Sequence, residues 1–167
     1  VNSALVERVK AHEGLRLKPY RCTAGKLSIG YGRNLEDRGI SEEEARQMLE
    51  RDLREAVAVV KLWLVRGDAD AAEGVGPETL SRLGRVDRFA ADLSVQWWVL
   101  VELAFWLGAG TLRKFKRFRE AVLDYRFDDA ADELLWADEA RTIPTKLHQQ
   151  APARTARLAE ILREGRE

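Results

Sequence analysis

Residues 13–32 read EGLRLKPYRCTAGKLSIGYG, and the expected architecture follows outward from this stretch. Gly14, Pro19, Gly25, Gly30 and Gly32 punctuate short apolar pieces, while Leu27, Ile29 and Tyr31 alternate with Ser28 and the glycines. Period-two alternation bounded by turn residues predicts a small antiparallel hairpin, turning near Ala24-Gly25. Upstream, Val1, Leu5 and Val9 recur at helical spacing, so a short amphipathic helix over 1–12 runs into Glu13.

Downstream the period changes to that of helices. Ser41-Glu42-Glu43-Glu44 has the form of a capping box, opening a long helix over 42–64 with Ala45, Met48, Leu49, Leu53, Val57 and Val60 on one face. The stretch 66–88 is rich in Gly, Asp and Ala and reads as a surface excursion, with Pro77 opening a short helix through Leu80 and Leu83. Residues 89–107 are apolar on nearly every side and predict a buried central helix, ended by Gly108-Ala109-Gly110. Thr111 is then expected to cap a helix bearing Phe115, Phe118 and Val122, and Asp128 another through Leu134 and Leu135. An irregular piece over 137–151 precedes a last helix at 153–163 carrying Ala156, Ala159, Ile161 and Leu162. The expected fold is α+β, mainly α: a hairpin lobe over about 14–40 and a helical lobe over about 42–165, bridged by the long helix. The helix at 1–12 is expected to pack with the helical lobe, and 1–167 to form a single domain.

Composition excludes several classes. The 167 residues are 46% hydrophobic and 34% charged, with Lys+Arg and Asp+Glu both at 28, so net charge selects no partner. Basic residues do cluster, as Arg8, Lys10, Arg16, Lys18, Arg21, Lys26 and Arg33, and again as Arg113, Lys114, Lys116, Arg117 and Arg119. Such clusters are either solvated helix faces or surfaces drawn to an anionic polymer. The lone Cys22 excludes an internal disulfide, and the two distant histidines, His12 and His148, exclude an HExxH zinc motif. No cofactor or metal is expected. No run approaches the ~18 apolar residues of a membrane span. The sequence starts at Val1, without a signal-peptide core, consistent with a processed chain or a piece of a longer protein.

Glycoside hydrolysis requires a protonated carboxyl beside the leaving oxygen and a second group across the sugar. Glu13, where a helix gives way to a Gly-rich hairpin, stands where clefts are commonly lined, although position alone also fits a solvated charge. The string around it narrows the choice. Glu13-Gly14 with Tyr20, then Cys22 with Gly25, then Ser28-Ile29-Gly30-Tyr31-Gly32 resembles the signature of the phage-type lysozyme (endolysin) family, glycoside hydrolase family 24. Further along, Ala104-Phe105-Trp106-Leu107-Gly108 followed by Phe115 resembles the family's central helix, and Pro152, Arg154 and Arg157 its C-terminal helix.

The resemblance implies hydrolysis of the β-1,4 bond between N-acetylmuramic acid and N-acetylglucosamine. It makes Glu13 the general acid, which needs a raised pKa that partial burial can supply. It brings Arg154 towards that carboxyl, assigns Phe105 to substrate contact, and leaves Tyr20, Gly30 and Gly32 as supporting positions. Cys22 stands where a carboxylate is usual, though part of the family has cysteine there. A thiol with pKa near ~8.5 is a poor base unless ionised; Arg21 or Arg33 can favour the thiolate, as nucleophile or as base for water. The alternative for Cys22 is a small apolar core residue. Ser28, where Thr is usual, either orients the attacking water or faces solvent. Arg33 replaces a frequent His, and Trp106 either stacks on a sugar or packs in the core.

The leading expectation is thus a phage or prophage muramidase acting on peptidoglycan. Nucleic-acid binding and stable membrane insertion are not expected, and the protein would be a monomer unless part of a larger phage protein. It would pass from host cytoplasm to periplasm and wall, or travel in the phage particle. A lytic transglycosylase and a non-catalytic cell-wall-binding or structural module are the rivals.

Overall fold

The computed structural model describes residues 2–66, 84, 86, 87, 90, 91 and 94–166. Most of the excursion expected over 66–88, with its short helix at Pro77, lies outside these residues, as does Val1. The described elements are α1 (Ser3–Glu13), β1 (Arg16–Arg21), β2 (Leu27–Gly30), β3 (Arg33–Asn34), α2 (Leu35–Arg38), α3 (Glu42–Arg66), α4 (Ser94–Leu112), α5 (Lys116–Leu123), α6 (Phe127–Leu135), α7 (Lys146–Gln150) and α8 (Pro152–Glu164). The fold is α+β and mainly α, as the periodicities require. Contacts divide it into two compact units, Val1–Leu49 and Glu50–Glu167, the division falling within α3.

In the first unit α1 is capped by Asn2, whose side chain accepts from the Ala4 N–H at 2.9 Å. The hairpin is a three-stranded antiparallel sheet in the order β1-β2-β3. The third strand and α2 escaped the sequence reading because two and four residues are too few to show a period. The capping box forms in full. The Ser41 amide and hydroxyl donate to Glu44 Oε2 at 2.7 and 2.9 Å, and the Glu44 amide donates to Ser41 Oγ at 3.2 Å. Of the expected face of α3, Met48 and Leu49 are exposed, whereas burial begins at Ala56 and continues through Val60, Trp63, Leu64 and Val65.

The second unit holds the hydrophobic core. Phe118, Leu100, Leu103, Leu112, Leu134 and Leu162 are its largest fully buried apolar side chains. Trp63 stacks on Phe118 at 6.1 Å between ring centroids, and Phe115 meets Phe118 edge-on at 6.4 Å. α6 packs most extensively on α8, and α5 on α6. Arg119 Nε and Nη2 donate to the Trp63 and Leu64 carbonyls at 2.9 and 2.7 Å, satisfying acceptors that the last turn of α3 leaves without helical partners. Arg117 pairs with Glu133 at 3.1 Å. Two members of the second basic cluster are therefore bound into the unit's own structure.

Three expectations need correction. Thr111 caps nothing: it lies inside α4, and α5 starts after Phe115 without a side-chain cap. Asp128 sits within the first turn of α6 rather than at its N-cap, which is Arg126. Val95–Leu112 is, by length and composition, apolar enough to cross a membrane, with hydropathy 1.3. Its buried side chains, Trp97, Val99, Leu100, Val101, Leu103 and Ala104, are those of a core helix. The glycine stop is real: Gly108, at φ 71 and ψ 162, breaks the helical path within α4.

Candidate active site

α1 stops at Glu13 because Gly14 takes φ 68, a left-handed value that glycine adopts freely, while its amide still reaches the Lys10 carbonyl at 3.1 Å. The chain then enters β1. Strand register sets Arg16 opposite Gly30, Tyr20 opposite Ser28 and Arg21 opposite Leu27, with an irregularity between Arg16 and Tyr20. β2 pairs onward to β3 through Ser28–Asn34 and Ile29–Arg33, across a turn in which Gly30 and Gly32 have φ 68 and 78. Gly32 is set apart by a second feature. A β-carbon there would stand 3.2 Å from Oε2 of Glu13, so the last side chain of α1 lies beside the bare face of this turn. Glu13 is exposed, and the partial burial expected of it is absent from the structure.

Cys22 begins the β1–β2 turn, where its amide donates to the Lys26 carbonyl at 3.0 Å and its carbonyl accepts from the Gly25 amide at 2.8 Å. The thiol is held below its ordinary pKa. The Ala24 N–H contributes most, desolvation opposes it, and the Lys26 N–H, the Ser28 hydroxyl and the N–H of Cys22 itself add to the lowering. Hydrogen bonds thus do what the sequence reading gave to arginine charge. Arg21 is engaged by the Gly25 carbonyl at 2.7 Å and Glu36 at 3.4 Å, and Arg33 by the Gly39 carbonyl at 2.7 Å and Glu44 at 2.8 Å.

Ser28 is 2% exposed because it lies on the middle strand, paired on both sides. It does not face solvent. Its hydroxyl turns to the Lys26 carbonyl at 3.4 Å and adds to the lowering of the Cys22 pKa. Tyr20 is half-buried under the Arg16 guanidinium, 4.3 Å from the ring centroid. Glu36 was missed by the sequence reading; it accepts from the Leu27 amide at 3.1 Å and so ties α2 to the start of β2.

Glu13, Tyr20, Cys22, Ser28, Gly30 and Gly32 are thus gathered in the first unit. Residues 10–71, which include all six, match the family described as Phage lysozyme. This segment resembles phage lysozyme. An endolysin from Acyrthosiphon pisum secondary endosymbiont phage 1 is 37% identical over 71 residues, an alignment covering 38% of the present chain and 48% of that protein. The chain thus spans about half the length of the curated relative it matches.

Phe105 and Arg154 lie outside the phage lysozyme match, in the second unit. Phe105 is 44% exposed on α4. Arg154, on α8, donates through Nε to Glu102 at 2.9 Å and lies 4.4 Å over the Trp106 ring. Trp106 packs against the core with that guanidinium on its face, in keeping with core packing rather than a sugar platform. Glu102 was overlooked, yet it is the single charge between Val95 and Leu107, and such an acid in an apolar helix implies a cationic partner. A polar groove of about 400 Å³ elsewhere in this unit, lined by Arg117, Asp132, Trp136 and Arg141 among others, is crossed by ion pairs such as Arg141–Asp132. Among the described residues no three or more His, Cys, Asp or Glu side chains form a metal-binding group.

Proposed function

We propose that the protein is a peptidoglycan muramidase of a single lysozyme-like domain, hydrolysing the β-1,4 bond between N-acetylmuramic acid and N-acetylglucosamine. The observation that carries this reading is Glu13 seated on the Gly32 turn of the sheet that also holds the Cys22–Ser28 pair, all within the segment that matches phage lysozyme. Glu13 is the general acid, protonating the glycosidic oxygen as the bond breaks. Because the carboxyl is exposed, bound glycan must exclude water around it. Cys22 is the group across the sugar, its thiolate favoured by turn N–H groups, and it activates water or attacks the anomeric carbon. Ser28, buried behind it, serves the thiolate rather than holding bulk water. Tyr20 and Gly30 shape the strand and turn. The enzyme acts as a monomer on the bacterial wall, without cofactor or nucleic acid, reaching it as a free endolysin or within a phage particle.

Digestion of purified peptidoglycan by wild type, Glu13→Gln and Cys22→Ser, with mass analysis of the new ends, tests this. Reducing muramic ends that disappear with Glu13→Gln are expected. Anhydro ends would replace hydrolysis with transglycosylation, and an inactive wild type would remove the enzyme reading. Alkylation of Cys22 is expected to abolish cleavage; full activity of the alkylated protein would take the thiol out of the mechanism.

A further inference from the structure

Glycine positions in the first unit share a backbone demand but differ in what surrounds them. Gly14, Gly25, Gly30, Gly32 and Gly39 all have positive φ, between 55 and 78. A β-carbon at Gly14, Gly25, Gly30 or Gly39 would meet nothing within 4 Å. At Gly32 it would meet Oε2 of Glu13 at 3.2 Å and Cδ at 3.9 Å. The conformational requirement alone therefore does not distinguish Gly32. The carboxyl does.

We propose that Gly32 is a positioning residue for Glu13, its bare α-carbon forming the seat that fixes where the carboxyl presents its oxygen. This rests on the reading of Glu13 as general acid. Among the described residues the Glu13 carboxyl makes no hydrogen bond or ion pair, and the bare face of Gly32 is the surface beside it. A methyl group at 32 would displace Oε2 by a few tenths of an ångström to reach ordinary contact distance. It would do so without removing the acid, the thiol or any strand pairing. Proton transfer depends steeply on that placement.

The test combines a stability cycle with kinetics on the intact chain. Thermal unfolding is measured for wild type, Gly30→Ala, Gly32→Ala, Glu13→Ala and the double variant Gly32→Ala/Glu13→Ala. Both glycine variants should lose Tm through left-handed strain, Gly32→Ala by more, and that excess should vanish in the Glu13→Ala background. Equal losses for the two glycine variants, or strict additivity in the double variant, would overturn the seat. On peptidoglycan, Gly32→Ala should lower kcat on the order of tenfold with KM unchanged; unchanged kcat, or a loss confined to KM, would overturn the positioning role. An inactive wild type would instead remove the muramidase reading, and the stability cycle would still decide whether the carboxyl rests on Gly32.

Discussion

At the residue scale, Cys22 has the most specific chemical surroundings in the first unit. Its depressed pKa comes chiefly from the Ala24 N–H, with smaller help from Lys26, Ser28 and its own amide. These donors favour the thiolate, so the pH at which Cys22 half-ionises should fall below that of a free cysteine. Iodoacetamide alkylation followed against pH would measure this, and a midpoint at or above the free-cysteine value would refute it. Ser28→Ala removes one donor and should move the midpoint upwards, but not to the free value while the Ala24 N–H remains. The carboxyl of Glu13 was legible in the sequence as a candidate acid. Its seat on Gly32 was not, because twenty residues of sequence string carry no information on which side chain meets which α-carbon across a sheet.

Among elements, α3 shows how a local signal and its tertiary use coincide. Ser41 and Glu44 read as a capping box and form one, but Glu44 also receives Arg33 at 2.8 Å, a pairing no local pattern announces. Ser41→Ala should destabilise the protein by about 1 kcal/mol at neutral pH, measured by urea unfolding. The pKa of Glu44 is lowered chiefly by the Ser41 N–H and then by the Ser41 hydroxyl. A depressed carboxyl gives stability that is present above its unfolded value and lost as pH falls through its folded value. The penalty of Ser41→Ala should therefore shrink as pH drops below the ordinary Glu value of 4.5. An undiminished penalty in acid would separate the cap from the carboxylate. The same sign applies to Asp138, lowered chiefly by the Thr142 hydroxyl and then by the Ile143 N–H. The protection factors of the Thr142 and Ile143 amides, each taken against the intrinsic exchange rate at the same pH, should fall in acid, and that fall should be absent in Asp138→Asn; wild-type protection unchanged in acid would refute the coupling.

Across the whole molecule, apolar burial is distributed unevenly. All the buried hydrophobic side chains among the described residues fall between Ala56 and Leu162, and in residues 2–49 Ser28 alone is buried. The second unit should respond as a packed core does: Phe118→Ala should cost about 3–5 kcal/mol in urea unfolding. Leu17→Ala, at a position 78% exposed, should stay within about 0.5 kcal/mol. A peptide of residues 1–49 has too little apolar burial to fold by itself and should lack the sheet by circular dichroism. A native-like spectrum from that peptide would show that turns and strand pairing suffice without a core.

The sequence by itself determined the helix that ends at Glu13, the hairpin, the long capped helix, the apolar helix with its glycine break, and the segment that resembles phage lysozyme. Each of these is written in periodicity, turn residues or a contiguous motif, all of which act over a few neighbouring positions. Tertiary structure alone decided which groups meet: Glu13 with Gly32, Ser28 with Cys22, Arg33 with Glu44, Arg154 with Glu102 and Trp106, and Arg119 with the end of α3. Those pairings depend on strand register and on helix packing in three dimensions, where separation along the chain no longer measures distance.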